Sequence, residues 1–350
     1  MILNIRKILF IYRLGLKRTT YRNLLLVIRY LLNKNIFRKN LPGALILGVT
    51  YRCQCNCSYC SIGRYPILPN SELTTEEIKT IIAESVVLGI PKINFFGGEP
   101  LIRNDLLELI SYAAQKGIFV FLDTNGYLLE RKTAFLLKKA GISAIAVNIN
   151  SRLKSDTVVP EESAENMFIR IAPLIGYCRE ERIPCVISVY VNKNILKSEE
   201  LLRIINLSKR NRAAGVRLLL PMRCGKLLED NDFFSETELQ KVYGLIDNYF
   251  VYQESILYGI ENKRRICEAR LKNTIYISPY GDVQFCYTIP FSFGNLRSRR
   301  LTDIMQSLYA HELFEVAPKN ECPMNDSVFR KKSEEFKLKN ENKNLKYLYS

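Results

Sequence analysis

The sequence has no acidic residue before Glu72, a single histidine at His311, and no run of the roughly 20 uncharged residues that cross a bilayer as a helix. No signal-peptide pattern of basic end, clean apolar run and small-residue cleavage site is visible either. Ten cysteines in 350 residues are too few for a disulfide scaffold. A 47% apolar composition without repeats excludes wholesale disorder and any collagen-like or low-complexity chain. What remains suffices for one large core or two moderate ones.

What is present is unevenly placed. The net charge is +16, and ten basic side chains (Arg6, Lys7, Arg13, Lys17, Arg18, Arg22, Arg29, Lys34, Arg38, Lys39) fall within residues 1–40. The other 310 residues carry only +6, ordinary for a soluble enzyme. Two apolar-rich stretches flank Arg18-Thr19-Thr20, and the spacing places Arg6 with Arg13, and Arg22 with Arg29, on one side of each helix. Three readings of residues 1–42 stand open. The acid-free, basic composition favours an amphipathic helical segment on an anionic membrane surface. A hairpin packed on the catalytic domain is the second. A nucleic-acid arm is the third, disfavoured because so many Leu and Ile are poorly used against phosphates.

From residue 43 the pattern is regular. Apolar segments 44–50, 92–96, 118–123, 144–149, 184–191 and 216–220 read as strands; 74–88, 103–116, 130–140, 164–180 and 198–210 read as helices. Thr74 with Glu76 and Glu77 makes a helix start, while Gly89, Gly117 and Gly141 sit where helices stop. Such alternation requires parallel strands with crossover helices, as an open sheet or a barrel. After Pro221 the rhythm changes: a helix over 236–250, a hairpin over 273–286 turning at Pro279–Asp282, and a helix near 301–310. The expected division is 1–42, 43–225, 226–330 as a small α+β domain closing against the first, and a frayed Lys/Asn/Glu-rich tail over 331–350.

Four cysteines cluster in CQCNCSYC, directly after the first strand. Cys53, Cys57 and Cys60 have the spacing C-x3-C-x2-C, so three thiolates of one loop face one corner of an iron–sulfur cluster and leave one iron without a protein ligand. A zinc knuckle is the alternative, but it needs a fourth Cys or His nearby, and His311 is far along the chain. Cys55, between two ligands, is expected to point elsewhere. Cys178 and Cys185 read as buried small side chains, and His311 as a surface or partly buried residue of no catalytic role.

That spacing, with Tyr59 before the last Cys, resembles the signature of radical S-adenosylmethionine (radical SAM) enzymes. The resemblance continues at Gly97-Gly98-Glu99-Pro100 after the second strand and at Thr124-Asn125-Gly126 after the third. It implies a partial (β/α)6 barrel over roughly 43–225, a [4Fe–4S] cluster on Cys53, Cys57 and Cys60, and SAM at the C-terminal strand ends. Glu99 would then hold the SAM ammonium, with glycines 97 and 98 permitting close approach, and Asn148 and Asn150 would reach SAM ribose and carboxylate. Cys267-x13-Gly281-x4-Cys286 and the phrase FGNLRSRRLTDIMQSL resemble the SPASM/Twitch extension. Only Cys322 remains of its later cysteines, which implies one auxiliary [4Fe–4S] cluster on Cys267, Cys286 and Cys322, with Cys224 as a further possible ligand.

The implied chemistry is reductive cleavage of SAM to a 5′-deoxyadenosyl radical, with an electron donor such as ferredoxin or flavodoxin. The basic N-terminus favours a lipid or membrane-localised substrate and a cytoplasmic enzyme peripheral to the membrane. Peptide or protein modification, a sugar or cyclitol substrate, and a non-catalytic iron–sulfur scaffold are the alternatives. Nucleic acid is disfavoured, because the charge is concentrated before residue 41.

Overall fold

The structure is a computed structural model that describes residues 20–150, 164–230, 233–247, 249–253, 267–319, 321–339 and 346–349. In chain order the helices are α1 Tyr21–Leu31, α2 Thr75–Leu88, α3 Leu106–Gln115, α4 Arg131–Ala140, α5 Ala164–Glu180, α6 Lys193–Lys197, α7 Glu200–Arg210, α8 Glu236–Gly244, α9 Leu301–Tyr309, α10 Glu312–Val316 and α11 Ser327–Lys339. The strands are β1 Ala44–Thr50, β2 Lys92–Gly97, β3 Phe119–Thr124, β4 Ala144–Asn148, β5 Cys185–Tyr190, β6 Gly215–Leu219, β7 Val251–Gln253, β8 Thr274–Ile277, β9 Asp282–Gln284, β10 Phe291–Asn295 and β11 Lys346–Tyr347.

All described strands form one sheet in the order β11-β10-β9-β8-β1-β2-β3-β4-β5-β6-β7, with β8 and β1 through β7 paired in parallel. The sheet has two edges, β7 and β11, so a mixed α/β core carries the expected alternation in an open form. Side chains alternate along each strand: Ile93 and Phe95, or Val120 and Leu122, are buried under the helices. Lys92, Asn94 and Phe96 face the concave side, as do Phe121 and Asp123. Thr74 and Glu77 form a reciprocal capping box on α2, and Gly89 and Gly141 end α2 and α4 in the left-handed conformation.

Several expectations change. The hairpin of the small C-terminal region also extends the sheet, because β8 pairs in parallel with β1. The helix expected over 236–250 ends at Gly244, and β7 follows. The tail over 331–350 carries regular structure where described. It continues α11, and Tyr347 pairs with Phe291 in β10, because aromatic residues within the Lys/Asn-rich composition find apolar partners.

The first helix also differs from an isolated surface segment. Thr20 caps α1, and α1 lies across the N-terminal ends of the strands. Asn23 Nδ2 donates to the Pro91 and Gly117 carbonyls at 3.1 and 2.8 Å. Arg22 donates to Gln115 O at 2.8 Å and Arg29 to Val87 O at 2.6 Å, so both satisfy C-terminal carbonyls of α3 and α2. Among the described residues, no helix is long and apolar enough to cross a membrane. Residues 1–19, with Arg6 and Arg13, lie outside the described residues.

Candidate active site

The C-terminal ends of β1 to β5 bring the Cys loop, the GGEP segment, the TNG segment and the two asparagines together. The Gly98 amide donates to Thr50 O at 2.7 Å and the Glu99 amide to Arg52 O at 2.9 Å. A Cβ on Gly97 would stand 2.2 Å from Thr50 O, and one on Gly98 2.1 Å from Arg52 O. Those glycines therefore serve first to let GGEP lie against the start of the Cys loop, a role that resemblance alone did not indicate. A side chain at either position would push Cys53 away from the rim.

Glu99 is fully buried. Its carboxylate accepts from Thr124 Oγ1 at 2.8 Å, Asn125 N at 2.7 Å and Leu101 N at 3.0 Å. Burial lifts its pKa to about 7 despite these three donors. Glu99 thus joins GGEP to TNG, and one acceptor direction of the carboxylate remains for a ligand cation. Pro100 opens the short turn over Pro100–Ile102 that Glu99 caps.

Asn125 links this carboxylate to the cysteines. Its Nδ2 lies 3.6 Å from Cys53 Sγ, and its Oδ1 accepts from Gln54 and from the Tyr127 amide. Asn148 Oδ1 accepts from Tyr59 OH at 3.3 Å, and Tyr59 stacks on Tyr190 at 4.0 Å. Asn150 Oδ1 accepts from the Tyr190 amide at 2.7 Å, so it ties the residues just after β4 to the end of β5. Tyr59, Asn125, Asn148 and Asn150 are therefore together on one rim.

Cys55 does not point away. Its thiol is buried between Cys53 and Cys57 and hydrogen-bonded to both, which raises its own pKa and lowers that of Cys53. Burial pushes the Cys60 thiol up to about 11. Among the described residues, no three His, Cys, Asp or Glu side chains converge on one point as a metal cage requires. The donor set still suits an iron–sulfur cluster: one loop supplies several thiols, and hydrogen bonds favour the thiolate at Cys53.

The loops bearing the later cysteines also meet. The Cys267 amide donates to Lys319 O at 2.8 Å, three residues before Cys322. The Arg223 amide donates to Asn325 Oδ1 at 3.0 Å, which ties the Cys224 loop to the turn that Cys322 begins. Cys224 and Cys286 both bear on the Tyr349 hydroxyl, which accepts from the Gly225 amide. A Cβ on Gly225 would stand 2.2 Å from Cys60 O, so this loop also touches the first Cys set. Cys178 and Cys185 are buried and hydrogen-bonded together. His311 caps α10 and packs on Phe293 and Phe336.

Sequence reasoning missed the concave face below the rim. Arg217 on β6 pairs with Asp123 on β3 and donates to Ser188 Oγ at 2.9 Å. Burial opposes the Arg217 charge, but Asp123 holds it firmly protonated. Asn94 Nδ2 donates to Asp123 at 2.7 Å, while Asn94 Oδ1 is buried without a partner. Lys92 packs its ammonium over Phe121 at 4.7 Å, and burial lowers its pKa. The available signal was a charged residue inside an apolar parallel strand, as in VRLLL. Arg170 was also missed: it donates to Asn125 O at 2.7 Å and lies over Tyr127, clamping TNG from α5. Nothing in the helical pattern marks it.

Residues 47–207 match the radical SAM superfamily, and residues 267–335 match SPASM, an iron–sulfur cluster-binding domain. The chain is 30% identical over 197 residues to a Fe-coproporphyrin III synthase of Methanosarcina barkeri, covering 56% of this chain and 49% of that protein. It thus spans about half the length of that relative. It is 27% identical over 293 residues to an AdoMet-dependent heme synthase of the same organism, covering 77% and 83%. A PqqA peptide cyclase of Bradyrhizobium diazoefficiens is 29% identical over 158 residues, covering 45% and 41%. In fold, the chain resembles Streptococcus suis SuiB bound to S-adenosylmethionine, with a TM-score of 0.57 at 14% identity, covering 83% of this chain and 65% of that one.

Proposed function

The chain is a radical SAM enzyme with a SPASM domain, and from that premise we propose that it modifies a carboxylate-bearing substrate, a peptide or protein side chain. With its cofactors bound, a radical SAM domain generates a 5′-deoxyadenosyl radical from SAM at a reduced [4Fe–4S] cluster. The protein's part is to place thiolates Cys53, Cys57 and Cys60, to hold SAM along GGEP, TNG, Asn148 and Asn150, and to shape the substrate cavity.

The observation that carries the substrate class is the charge on the concave face. Lys92 and Arg217 face it with Asp123 as their carboxylate, and Asp123 is held by Arg217 and Asn94. Glu268 at the floor also attracts Lys92, but the Asn273 amide holds that carboxylate and Lys34 shares its field. A substrate carboxylate would neutralise Lys92 in a site where an unmatched charge is costly. The likeness to a PqqA peptide cyclase favours a peptide as its bearer. A porphyrin is the second reading, favoured by the heme synthase, a relative matched over most of both chains. A lipid substrate has less support: the catalytic rim and the N-terminal helix lie at opposite ends of the strands.

The test is anaerobic turnover of reduced, reconstituted enzyme with carboxylate-containing peptides, coproporphyrin and phospholipid, following 5′-deoxyadenosine and substrate mass together. Peptide conversion coupled to deoxyadenosine supports the proposal. Lys92→Met should then keep uncoupled deoxyadenosine formation and lose product; equal product from Lys92→Met would remove the role given to the charge.

A further inference from the structure

Three features meet at the N-terminal ends of the strands, the end opposite the Cys loop. The first is the outer face of α1 and the π-helical turn Leu32–Ile36 that follows it. Leu24, Leu25, Ile28, Leu31, Leu32, Ile36 and Phe37 are all between 43% and 65% exposed, while Asn23 is buried. The helix buries Leu26 and Tyr30 with Asn23 on its inner face, and it still turns a second apolar stripe outwards, more than an ordinary surface helix exposes.

The second is a concavity of about 320 Å³ where β5 and β6 begin, lined by Arg179, Arg182 and Arg212 above Pro184 and Ala213. None of these guanidinium groups is ion-paired among the described residues. Of the nearby acids, Glu180 pairs with Arg131, and Glu181 lines a different depression. With β3 and β5 two strand spacings apart, the concavity lies roughly 10 Å along the rim from the α1 contacts.

The third is backbone conformation. The turns after α2, α3 and α4 use Gly89, Gly117 and Gly141 at positive φ, but those after α5 and α7 place Arg182 and Arg212 there, at 55° and 65°. Among the described residues, the other non-glycine residues with positive φ are Arg38, after the π-helical turn, and Lys272, just before β8. All four are cations and all four lie at this end, although glycine would be less strained.

We infer that this end of the molecule docks on an anionic lipid bilayer, with the α1 stripe inserted among the acyl chains and the Arg179–Arg182–Arg212 concavity seated on lipid phosphate. The occupant follows from the combination. An apolar stripe alone would suit a second copy, and arginines alone would suit a soluble phosphate. The apolar stripe on a segment without an acid before Glu72, with the arginine concavity beside it, matches a surface that is apolar inside and anionic outside. Strands of five to seven residues then hold the Cys loop about 20 Å from the bilayer, opening away from it. Substrate enters from solvent. The docking does not depend on which substrate that is.

The experiment is flotation of full-length reconstituted protein with vesicles of phosphatidylglycerol and phosphatidylethanolamine in equal parts, against phosphatidylcholine alone. Anionic vesicles should bind it at low salt and release it at high salt. Leu25→Ser with Ile28→Ser, all exposed, should weaken binding by more than about tenfold. Arg182→Asn with Arg212→Asn, which keep a residue tolerant of positive φ, should weaken it similarly. Circular dichroism and uncoupled deoxyadenosine formation should be unchanged in both. Failure of the wild type to float at low salt overturns the inference. So does loss of a dimer in the leucine variant, which would make the stripe a contact between copies. Binding displaced by millimolar inorganic phosphate and indifferent to the leucine variant would assign the arginines to a soluble anion instead, and also overturns it.

Discussion

At the C-terminal ends of the strands, backbone closes on backbone so tightly that Gly97 and Gly98 leave no room for a Cβ, and the Glu99 carboxylate is wholly buried. At the N-terminal ends, α1 buries Leu26 and Tyr30, reaches to carbonyls with Arg22, Asn23 and Arg29, and leaves Leu24, Leu25 and Leu31 facing outwards. The first arrangement keeps water out and fixes donors, as chemistry on a reactive intermediate requires. The second keeps apolar area available, as reversible attachment requires. The comparison predicts that SAM cleavage responds to one end only.

The largest effect should come from the Cys loop. Ala at Cys53, Cys57 or Cys60 should abolish deoxyadenosine formation and the low-potential cluster signal in electron paramagnetic resonance. Cys55 makes the experiment informative, because its thiol sits between Cys53 and Cys57. Cys55→Ala should keep the signal and most activity; loss equal to that of Cys53→Ala would shift the ligand register.

The next concerns the neighbouring loops. Replacing Cys267, Cys286 and Cys322 together should lower iron from about eight towards about four per chain while SAM cleavage persists. If Cys224 contributes a ligand, Cys224→Ala alone should perturb the spectrum of the second cluster. Its loop contacts Cys60, so a simultaneous change in the first cluster would show that the two sets are one structural unit.

A third effect follows from Glu99. Its folded pKa, about 7, lies above the ordinary carboxyl value, so the folded protein retains a proton that the unfolded chain releases. Stability from this group is therefore full below about pH 4.5 and falls as pH rises to about 7, by on the order of 3 kcal/mol. A ligand ammonium at Glu99 would oppose that loss. SAM should thus raise the melting temperature more at pH 8 than at pH 6, and thermal scans at both values with and without SAM measure it. A SAM-induced increment independent of pH would separate Glu99 from SAM binding.

Much of this was legible in the sequence. The first six strands, the capping box at Thr74 and the helix-ending glycines follow from local rules: period, caps and turn residues. The rim residues were found because motif order places each after a strand. What stayed hidden depends on tertiary contact. Nothing local tells that Gly98 faces Arg52 O, that Cys55 turns towards its neighbours, or that Arg170 reaches back to Asn125. The orientation of α1 was hidden for the same reason. Its hydrophobic periodicity is real, but the carbonyl ends of α2 and α3 attract Arg22, Asn23 and Arg29 to the sheet, so Leu26 and Tyr30 pack beneath while Leu24, Leu25 and Ile28 stay outside.

The smallest effect isolates that choice. Asn23 is buried and donates both amide hydrogens, to Pro91 O and Gly117 O. Asn23→Ala would leave the Gly117 carbonyl under the helix short of a donor, at a cost of about 1–2 kcal/mol. Leu25→Ser, 60% exposed before the change, leaves the buried face of α1 intact and should alter stability by less than about 0.5 kcal/mol. Urea melts of the two variants make the comparison directly. A leucine variant as destabilised as the asparagine variant would mean that the apolar stripe is packed against protein in solution. An undisturbed Asn23→Ala would mean that α1 is not fixed to this end by its polar side chains. The expected order, asparagine before leucine, follows from position, because Asn23 lies in the joint beside Leu26 and Tyr30 while Leu25 lies outside it.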